Sequence, residues 1–380
     1  MQKEQFENKY HESPQYHVFS SGRFEIIGNH TDHNGGKCVA ASCDLAISGF
    51  LSKNDDSVIK LCSLGYTDST IKLDDLSLKD NELGTTIGLV KGVCKYFVDH
   101  DYKIGGFSLL SESTIFEGAG VSSSAAFESL IAQILNVLYN NGTISHAELA
   151  KAGQYSENNY FGKRSGLLDQ SAICFGNISF MDFSGDLPKV KTLDFPFKHL
   201  QFVIVNTGGS HADLSDLYSS IPLDMKNAAK KVGVNLLIET DLETIENSKD
   251  KLSESEYLRA KHFFGENERV LTLVKAIENK DEKLFLEMIK GSFISSRDNL
   301  KNMMVKDYAG SPLEACDYAY KFLGDDGACK INGGGFAGSI IAVVNKDKAD
   351  EFIKYMAKKY PLKNISKVNI NPYPPVVEKI

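Results

Sequence analysis

The chain has 380 residues, 42% of them hydrophobic, and a formal net charge of −8 at pH 7. This length can bury the cores of two domains, and the acidic balance, with lysines interleaved among acids, argues against a nucleic-acid partner. The chain has no run of about twenty apolar residues, and its charged first ten residues contain no secretion-type apolar segment. Seven cysteines without framework spacing are typical of a reducing compartment. We therefore expect a cytoplasmic protein without disulfides or membrane segments.

The predicted elements alternate between short β-rich runs and longer helical patterns. Strands are expected at 24–27, 38–50, 58–63, 178–183, 201–206 and near 338–344. Helical segments are expected at 127–139, from 145 through Asp169, at 224–232 and at 256–289. This order predicts an α+β, mostly antiparallel architecture. We expect two domains, 1–177 and 178–380, with the active site in the cleft between them.

The first motif is a polar turn that follows a short apolar strand. Residues 22–36 read Gly-Arg-Phe-Glu-Ile-Ile-Gly-Asn-His-Thr-Asp-His-Asn-Gly-Gly. Asn29, His30 and Asp32 offer donors and acceptors of different geometry within four residues, which suits the hydroxyl groups of a sugar. Arg23 adds a permanent positive charge. An ordinary surface turn is the alternative, because Asn, Asp and Gly also favour turns for backbone reasons.

The second motif is a glycine- and serine-rich loop before a helix. Residues 117–126 read Glu-Gly-Ala-Gly-Val-Ser-Ser-Ser-Ala-Ala. Bare backbone N–H groups and the positive end of a helix can bind phosphate oxygens. The loop lacks the Gly-Lys-Ser/Thr step of a Walker loop and completes no Gly-x-Gly-x-x-Gly. Without further evidence, a simple helix start is the alternative.

A third glycine-rich segment precedes the last of the predicted strands. Residues 332–338 read Asn-Gly-Gly-Gly-Phe-Ala-Gly. Such a backbone permits close approach of a ligand or of another segment, although a tight connection between strands would need the same residues.

Two acidic residues stand twelve positions apart in the helical region. Ser145 to Glu148 reads as a capping box for a helix that carries Glu157 near its end, and Asp169 follows within Leu-Leu-Asp-Gln. Solvated helix-end charges are the common alternative for such residues. A zinc site is rejected, because no cysteine or histidine completes a tetrahedral set with His30 and His33.

The three motifs, in this order, resemble those of the small-molecule kinases named for galactokinase, homoserine kinase, mevalonate kinase and phosphomevalonate kinase. Within that superfamily the first motif is similar to the galactokinase pattern, because the other branches lack His-Thr-Asp there. The resemblance runs nearly end to end. It implies phosphoryl transfer from ATP to the anomeric hydroxyl of a sugar, with ATP and Mg²⁺ as cofactors. It also implies an N-terminal mixed sheet with helices, similar to ribosomal protein S5, and a ferredoxin-like C-terminal domain.

The resemblance also implies roles for individual residues. Asp169 would be the catalytic aspartate and Arg23 would compensate the charge of the transferred group. Ser124 and Glu157 would hold Mg²⁺, which prefers few protein oxygens and keeps its waters. The expected sugar-binding residues are Asn29, His30, Thr31, Asp32 and Tyr218. The expected ATP-binding residues are Gly118, Ala119, Gly120, Val121, Ser122, Ser123 and Ser124, with Ser63 as a further nucleotide-side candidate.

Several positions depart from the galactokinase pattern. Asn29 stands where galactokinases have Glu, His33 where they have Tyr, and Glu25 where they have Asn, while 295–297 lacks a Ser-His pair. Loss of a negative charge at position 29 would tolerate a carboxylate on the substrate, as in galacturonate. Three alternatives to a galactokinase therefore stay open. They are a kinase for a related sugar such as galacturonate or N-acetylgalactosamine, a non-catalytic galactose and ATP sensor, and a mevalonate- or homoserine-type kinase.

Overall fold

The computed structural model describes residues 2–116, 119–163, 165–208, 214–305 and 310–380. Within these ranges the strands, numbered in chain order, form two sheets. The first sheet contains β1 (Tyr16–Ile27), β2 (Lys37–Lys53), β3 (Val58–Ser63), β4 (Ser69–Lys72), β5 (Phe107–Ser113), β6 (Ile178–Asp182), β7 (Lys189–Leu193) and β12 (Val376–Lys379). The second contains β8 (Leu200–Asn206), β9 (Ala328–Asn332), β10 (Ser339–Asn345) and β11 (Ile365–Val368).

The helices flank both sheets. In the described part of the chain they are α1 (Gln2–Tyr10), α2 (Thr86–Asp99), α3 (Ser123–Tyr139), α4 (His146–Ser156), α5 (Leu168–Phe175), α6 (Ser215–Lys231), α7 (Leu242–Asn247), α8 (Glu254–Glu278), α9 (Glu282–Ser295), α10 (Pro312–Leu323) and α11 (Ala349–Met356). Among these helices, none combines the length and the apolar composition that a membrane crossing requires. The predicted mixed α+β fold with mostly antiparallel sheets is confirmed, since only β3 and β5 pair in parallel within the described sheets.

The second sheet has the strand order β11-β8-β10-β9, and all of its pairs are antiparallel. Numbered within this sheet, the order is 4-1-3-2, with helices between its first and second strands and between its third and fourth. This is the split βαβ arrangement of a ferredoxin-like domain. The expectation for the C-terminal half is therefore confirmed.

Alternate side chains of β8 join two different cores. Phe202 and Ile204 pack in the same cluster as Phe24 of the first sheet, and the rings of Phe24 and Phe202 lie 4.7 Å apart. Val203 and Val205 pack on the opposite face, in the cluster formed with α10 and α11. Because strand side chains alternate between faces, a run of seven buried residues in β8 fits a sheet that is covered on both sides.

The division of the chain into two domains at residue 177 does not coincide with the division between the sheets. Strand β6 pairs with β2, and β7 pairs with β6, so both strands extend the first sheet beyond residue 177. The C-terminal strand β12 also returns to this sheet and pairs with β1. These pairings join segments that are distant in sequence. The sequence has no Pro-rich or Ser-rich linker near residue 177, so the domain limits stay a prediction.

Candidate active site

A cavity of about 510 Å³ lies where the end of β1 meets the loop after β9. The backbone N–H of Glu25 in β1 donates to the Asn332 side chain at 2.9 Å, so the two sheets meet directly at this point. Most of the residues expected from the sequence to form the site line this cavity. They are Arg23, Asn29, His30, Asp32, Ala119, Gly120, Val121, Ser122, Ser123, Ser124, Asp169 and Tyr218. Gly118, also expected there, lies outside the described residues.

Arg23 and Asp169 form an ion pair in the cavity wall. Arg23 Nε donates to Asp169 Oδ1 at 2.7 Å, and Arg23 Nη1 donates to the carbonyl oxygen of Gly120 at 2.7 Å. The Ser122 hydroxyl donates to the second oxygen of Asp169. Burial by itself raises the pKa of Asp169, but the charges of Arg23 and Lys163 and the hydrogen bonds from Arg23 and Ser122 outweigh it and lower this pKa. Asp169 is therefore ionised at neutral pH.

The glycine- and serine-rich loop runs directly into the N-terminus of α3, as the sequence predicts. Ser122 precedes the helix with a φ of 58° and its side chain makes no cap hydrogen bond to the helix. The Ser122 hydroxyl is directed to Asp169 instead. The first backbone N–H groups of a helix of this length carry a partial positive charge, which suits phosphate oxygens.

Glu157 lies one hydrogen bond behind the cavity wall, at the end of α4. The helix passes there into a π-helical turn, Glu157–Phe161. Glu157 is fully buried, and its Oε1 accepts from the Ser124 hydroxyl at 2.6 Å and from Lys163 Nζ at 3.0 Å. Its Oε2 accepts from Gln170 Nε2 at 3.2 Å. Only one half of the predicted capping box forms: the Ser145 side chain accepts from the Glu148 backbone N–H, but the Glu148 side chain accepts from the Tyr96 hydroxyl at 2.7 Å.

A second buried carboxyl, Glu128 on α3, shares the Gln170 amide with Glu157. Gln170 Nε2 donates to Glu128 Oε1 at 2.9 Å, while Glu128 Oε2 is buried without a hydrogen-bond partner. Burial raises the pKa of Glu128 well above its usual range, and the charge of Glu157 raises it further. Gln170 thus ties the expected metal ligand to α3 through a single amide group.

The Asn29 side chain is held in one orientation by three partners. Its Nδ2 donates to Glu25 Oε2 at 3.0 Å and to the carbonyl oxygen of Gly333 at 2.8 Å. Its Oδ1 accepts from Asn302 Nδ2 at 2.8 Å. The other oxygen of Glu25 is paired with Lys330 Nζ at 2.7 Å. This wall of the cavity therefore presents an amide and a neutralised carboxylate.

His30 and His33 form a directed chain of hydrogen bonds. His30 Nε2 lies 2.7 Å from the carbonyl oxygen of Gly334, which can only accept, so Nε2 carries the proton. His30 Nδ1 is then an acceptor, and its neighbour at 3.3 Å, His33 Nε2, is the donor. His33 Nδ1 in turn accepts from Asn34 Nδ2 at 2.9 Å. Both rings are therefore neutral, and burial lowers the pKa of His33 to about 3.

We expect this histidine chain to make the fold sensitive to mild acid. In the unfolded chain a histidine has a pKa of about 6.5, so the stabilisation is complete above that pH and is lost as the pH falls toward the folded value of about 3. Between pH 7 and pH 5 the free energy of unfolding should fall by about 1 kcal/mol per pH unit from His33. Urea unfolding at several pH values measures this slope. The variant His33→Gln keeps a side-chain donor without titrating and should show a shallower slope; equal slopes would contradict the interpretation.

Asp32 bridges the turn and α5. Its Oδ2 accepts from the backbone N–H of Leu168 at 3.0 Å. Burial raises the pKa of Asp32, and the nearby Asp169 charge acts in the same direction. Asp32 thus places a carboxylate in the cavity wall beside the residue expected to be catalytic.

Besides Glu157, two expected site residues do not line the cavity. Thr31 is fully buried behind the turn, where its hydroxyl contacts the carbonyl oxygens of Gly28 and Lys37 at 2.9 and 2.8 Å. Ser63 lies at the end of β3, and its hydroxyl is 3.0 Å from that of Ser111 on the parallel neighbour β5. Thr31 is therefore part of the frame of the turn, and Ser63 is part of the first sheet.

Tyr218 packs across the glycine-rich segment after β9. Its ring lies 5.3 Å from the His30 ring, centroid to centroid, and a Cβ at Gly334 would lie 1.8 Å from Tyr218 Cε2. Only glycine fits there, because any side chain would displace the tyrosine ring. Nearby Asn302 donates to the carbonyl oxygen of Gly334 at 3.1 Å and fixes this segment from the other side.

If Tyr218 binds a sugar, as the resemblance of the motifs implies, we expect Gly334→Ala to displace its ring and to raise the KM for that sugar by about tenfold, the effect of one lost buried contact. The KM for ATP should change little, because the three atoms nearest to a Cβ at Gly334 all belong to Tyr218. Steady-state kinetics with each substrate varied in turn measures both. Tyr218→Ala removes the clashing ring, so adding Gly334→Ala to it should have little further effect. Fully additive effects would contradict this explanation.

Two family models match parts of the first 177 residues. Residues 88–177 match the family model "GHMP kinases N terminal domain", and residues 4–53 match the "Galactokinase galactose-binding signature". A galactokinase of Clostridium perfringens strain 13 is 32% identical over 378 residues, which cover 94% of this chain and 93% of the relative. The chain belongs to the galactokinase family. A galactokinase of Lactiplantibacillus plantarum is 30% identical, with coverage of 94% and 93%.

Solved structures agree with this assignment. The structure of Lactococcus lactis galactokinase complexed with galactose matches with a TM-score of 0.86 and 26% identity, and the match covers 98% of each chain. The Methanococcus jannaschii mevalonate kinase shares the fold, with a TM-score of 0.64 at 17% identity over 94% of this chain and 98% of that one. The galactokinase family uses ATP as the phosphoryl donor.

Sequence reasoning missed several residues that complete the site. Lys163 pairs with Glu157, Lys330 neutralises Glu25, and Asn302 orients Asn29. None of the three belongs to a recognisable local motif, since each reaches its partner only through the fold. The segment after β9 was recognised as unusual, and its Gly333 and Gly334 carbonyl oxygens prove to be the acceptors for Asn29 and His30.

Proposed function

We propose that this chain is a galactokinase that transfers the γ-phosphoryl group of ATP to the anomeric hydroxyl of galactose in the cytoplasm. The observation that carries the proposal is the Arg23–Asp169 pair, whose Nε and Oδ1 atoms lie 2.7 Å apart. The same cavity is lined by residues of the polar turn and of the glycine- and serine-rich loop. The cysteines, all unbridged within the described ranges, support the location.

The ionised Asp169 would orient the sugar hydroxyl and accept its proton late in the transfer. A carboxylate of lowered pKa is a weak base, and a sugar hydroxyl hardly ionises near neutral pH, so full deprotonation before transfer is disfavoured. The transition state of phosphoryl transfer is loose and asks mainly for positioning and charge compensation. Arg23 would supply a fixed positive charge beside the transferred group.

Ser124, in the glycine- and serine-rich loop, and Glu157 behind it fit a magnesium ion. The Ser124 hydroxyl and the Glu157 carboxylate lie 2.6 Å apart and offer hard oxygen ligands from only two side chains. When bound, Mg²⁺ would neutralise charge on the phosphates of ATP. Lys163, whose pKa is raised by the carboxylates of Glu157 and Asp169 against its partial desolvation, adds a second positive charge to the same region.

A related substrate is favoured by one specific observation. The Asn29 side chain carries no charge, and its neighbour Glu25 is paired with Lys330, so the cavity wall there does not repel an anion. The second candidate is therefore a sugar with a carboxylate or another substituent at this wall, such as galacturonate or N-acetylgalactosamine.

One panel tests these alternatives. ADP release is measured with ATP and Mg²⁺ against galactose, N-acetylgalactosamine, galacturonate, arabinose, mevalonate and homoserine. Activity with galactose alone supports the proposal, and a preference for galacturonate or N-acetylgalactosamine supports the second candidate. Binding of galactose and ATP by calorimetry without any ADP release would support a non-catalytic sensor. Activity with mevalonate or homoserine would overturn the assignment.

A further inference from the structure

Buried polar side chains of α8 face the backbone of the polar turn. His262 and Glu266 lie one helical turn apart, and both are fully buried. Residues of this kind are costly to bury unless their hydrogen bonds are satisfied. Each of the two has a backbone atom of the turn as a partner, so this face of α8 has a polar target.

His262 holds the peptide group that joins Asn29 to His30. Its Nε2 donates to the carbonyl oxygen of Asn29 at 2.8 Å, and its Nδ1 accepts from the Ser295 hydroxyl at 2.9 Å. The carbonyl can only accept, so the tautomer of His262 with the proton on Nε2 is fixed. Burial lowers the pKa of His262 despite the nearby Glu266 carboxylate, which agrees with a neutral ring.

The peptide held by His262 precedes a residue in an unfavourable backbone conformation. His30 has a φ of 57°, in the left-handed region that residues with a Cβ avoid. The dihedral φ of His30 depends on the orientation of the Asn29–His30 peptide plane about the His30 N–Cα bond. Such conformations persist only where surrounding contacts determine them, and they often occur at functional sites.

Glu266 holds the preceding part of the turn in the same way. Its Oε1 accepts from the backbone N–H of Gly28 at 3.1 Å and from the Ser292 hydroxyl at 2.5 Å, and its Oε2 accepts from Arg269 Nε at 2.8 Å. The two side chains of α8 therefore hydrogen-bond to the backbone of Gly28 and Asn29, the two residues that precede His30.

We propose that His262 is a positioning residue of the sugar site, which keeps His30 in its left-handed conformation by fixing the Asn29–His30 peptide. This conformation directs the His30 ring to the carbonyl oxygen of Gly334 and places Asn29 and Asp32 in the cavity wall. The effect on sugar affinity rests on the proposed function. The conformational effect does not, and it can be measured without any substrate.

The kinetic test compares two replacements of His262. Leucine removes the donor to the Asn29 carbonyl, whereas the Nε2 of glutamine can replace the ring nitrogen. We expect His262→Leu to raise the KM for the sugar about tenfold, as for a lost buried hydrogen bond, with the KM for ATP within about twofold. His262→Gln should recover most of the sugar affinity. Equal changes in both KM values, or no recovery with glutamine, would overturn the proposed role.

The conformational test is a double-mutant cycle that uses thermal unfolding. Glycine adopts a φ near 57° without cost, so in the His30→Gly background the polar turn carries less backbone strain. We expect His262→Leu to lower Tm more in that background than in the native chain, because the native turn can relax and release the strain of His30 once the His262 hydrogen bond is lost, whereas the glycine turn has no such strain to release. Val270→Ala is the control. It removes apolar packing from the cluster of Phe24 and Phe202 and should lower Tm equally in both backgrounds. Equal shifts for His262→Leu in the two backgrounds would refute the role of His262, whichever substrate the protein uses.

Discussion

Replacement of Asp169 by Asn should lower kcat by about 10²–10⁴-fold, the contribution usual for a positioned acid or base, while the sugar still binds. The asparagine side chain keeps the size of the carboxylate but cannot accept a proton. It also presents an N–H group toward either Arg23 Nε or the Ser122 hydroxyl, both of which are donors to Asp169. Both the lost charge and the misdirected donor should destabilise the transition state relative to the bound substrate.

The measurement separates binding from turnover. The chain contains no tryptophan, so sugar binding is best followed by calorimetry, and turnover by ADP release. Asp224→Asn is a matched control, because Asp224 pairs with Arg259 at the same 2.7 Å and with a similar exposed fraction, 20% against 19% for Asp169. That variant should retain kcat. Unchanged turnover in a folded Asp169→Asn protein would refute the catalytic assignment, and loss of turnover in both variants would indicate a general structural effect.

The local motifs were predictable because their chemistry lies within a few residues. A strand followed by the turn Asn-His-Thr-Asp and a glycine- and serine-rich loop before a helix are visible in the sequence itself, and both the turn and the loop contribute residues to the cavity wall. The order of strands and helices also predicts the α+β, mostly antiparallel architecture, since β-rich runs and amphipathic segments alternate clearly. The ferredoxin-like second sheet was expected only from the family resemblance.

The residues that lie elsewhere than expected, or that were not expected, depend on contacts that form only in the folded chain. Ser63 is the last residue of β3, whose parallel partner β5 was not predicted, and its hydroxyl lies beside that of Ser111 on β5. Thr31 has the same polar character as its neighbours, but the turn places its hydroxyl against backbone carbonyl oxygens. Strand register and the direction of a side chain from a tight turn depend on tertiary contacts, which local patterns do not specify.

Glu25 is the clearest case of a residue whose role depends on a distant partner. In the sequence it is only a departure from the family pattern in an apolar strand. In the structure its carboxylate lies 2.7 Å from Lys330 Nζ, 305 positions away, in a pair whose side chains are 4% and 0% exposed. Because the same carboxylate also accepts from Asn29, the ion pair connects the two sheets to the cavity wall.

Replacement of Lys330 by Met should therefore lower the free energy of unfolding by about 3–5 kcal/mol, since it leaves a buried carboxylate without its cation. Burial already raises the pKa of Glu25 against the opposing charge of Lys330. Without the lysine this pKa rises further above its value in the unfolded chain, so the folded variant takes up a proton as the pH falls. The deficit of Lys330→Met relative to the native chain should then be smaller at pH 5.5 than at pH 8.

Urea unfolding of the single variants Lys330→Met and Glu25→Gln and of the double variant measures the coupling. The double variant removes both charges and keeps an amide that can contact Asn29, so it should be less destabilised than the sum of the two single variants. Lys60→Met, which breaks the exposed pair with Asp56, is the control and should cost well under about 1 kcal/mol. Additive single effects, or a deficit that is the same at pH 5.5 and at pH 8, would show that Lys330 acts by packing and not by neutralising Glu25.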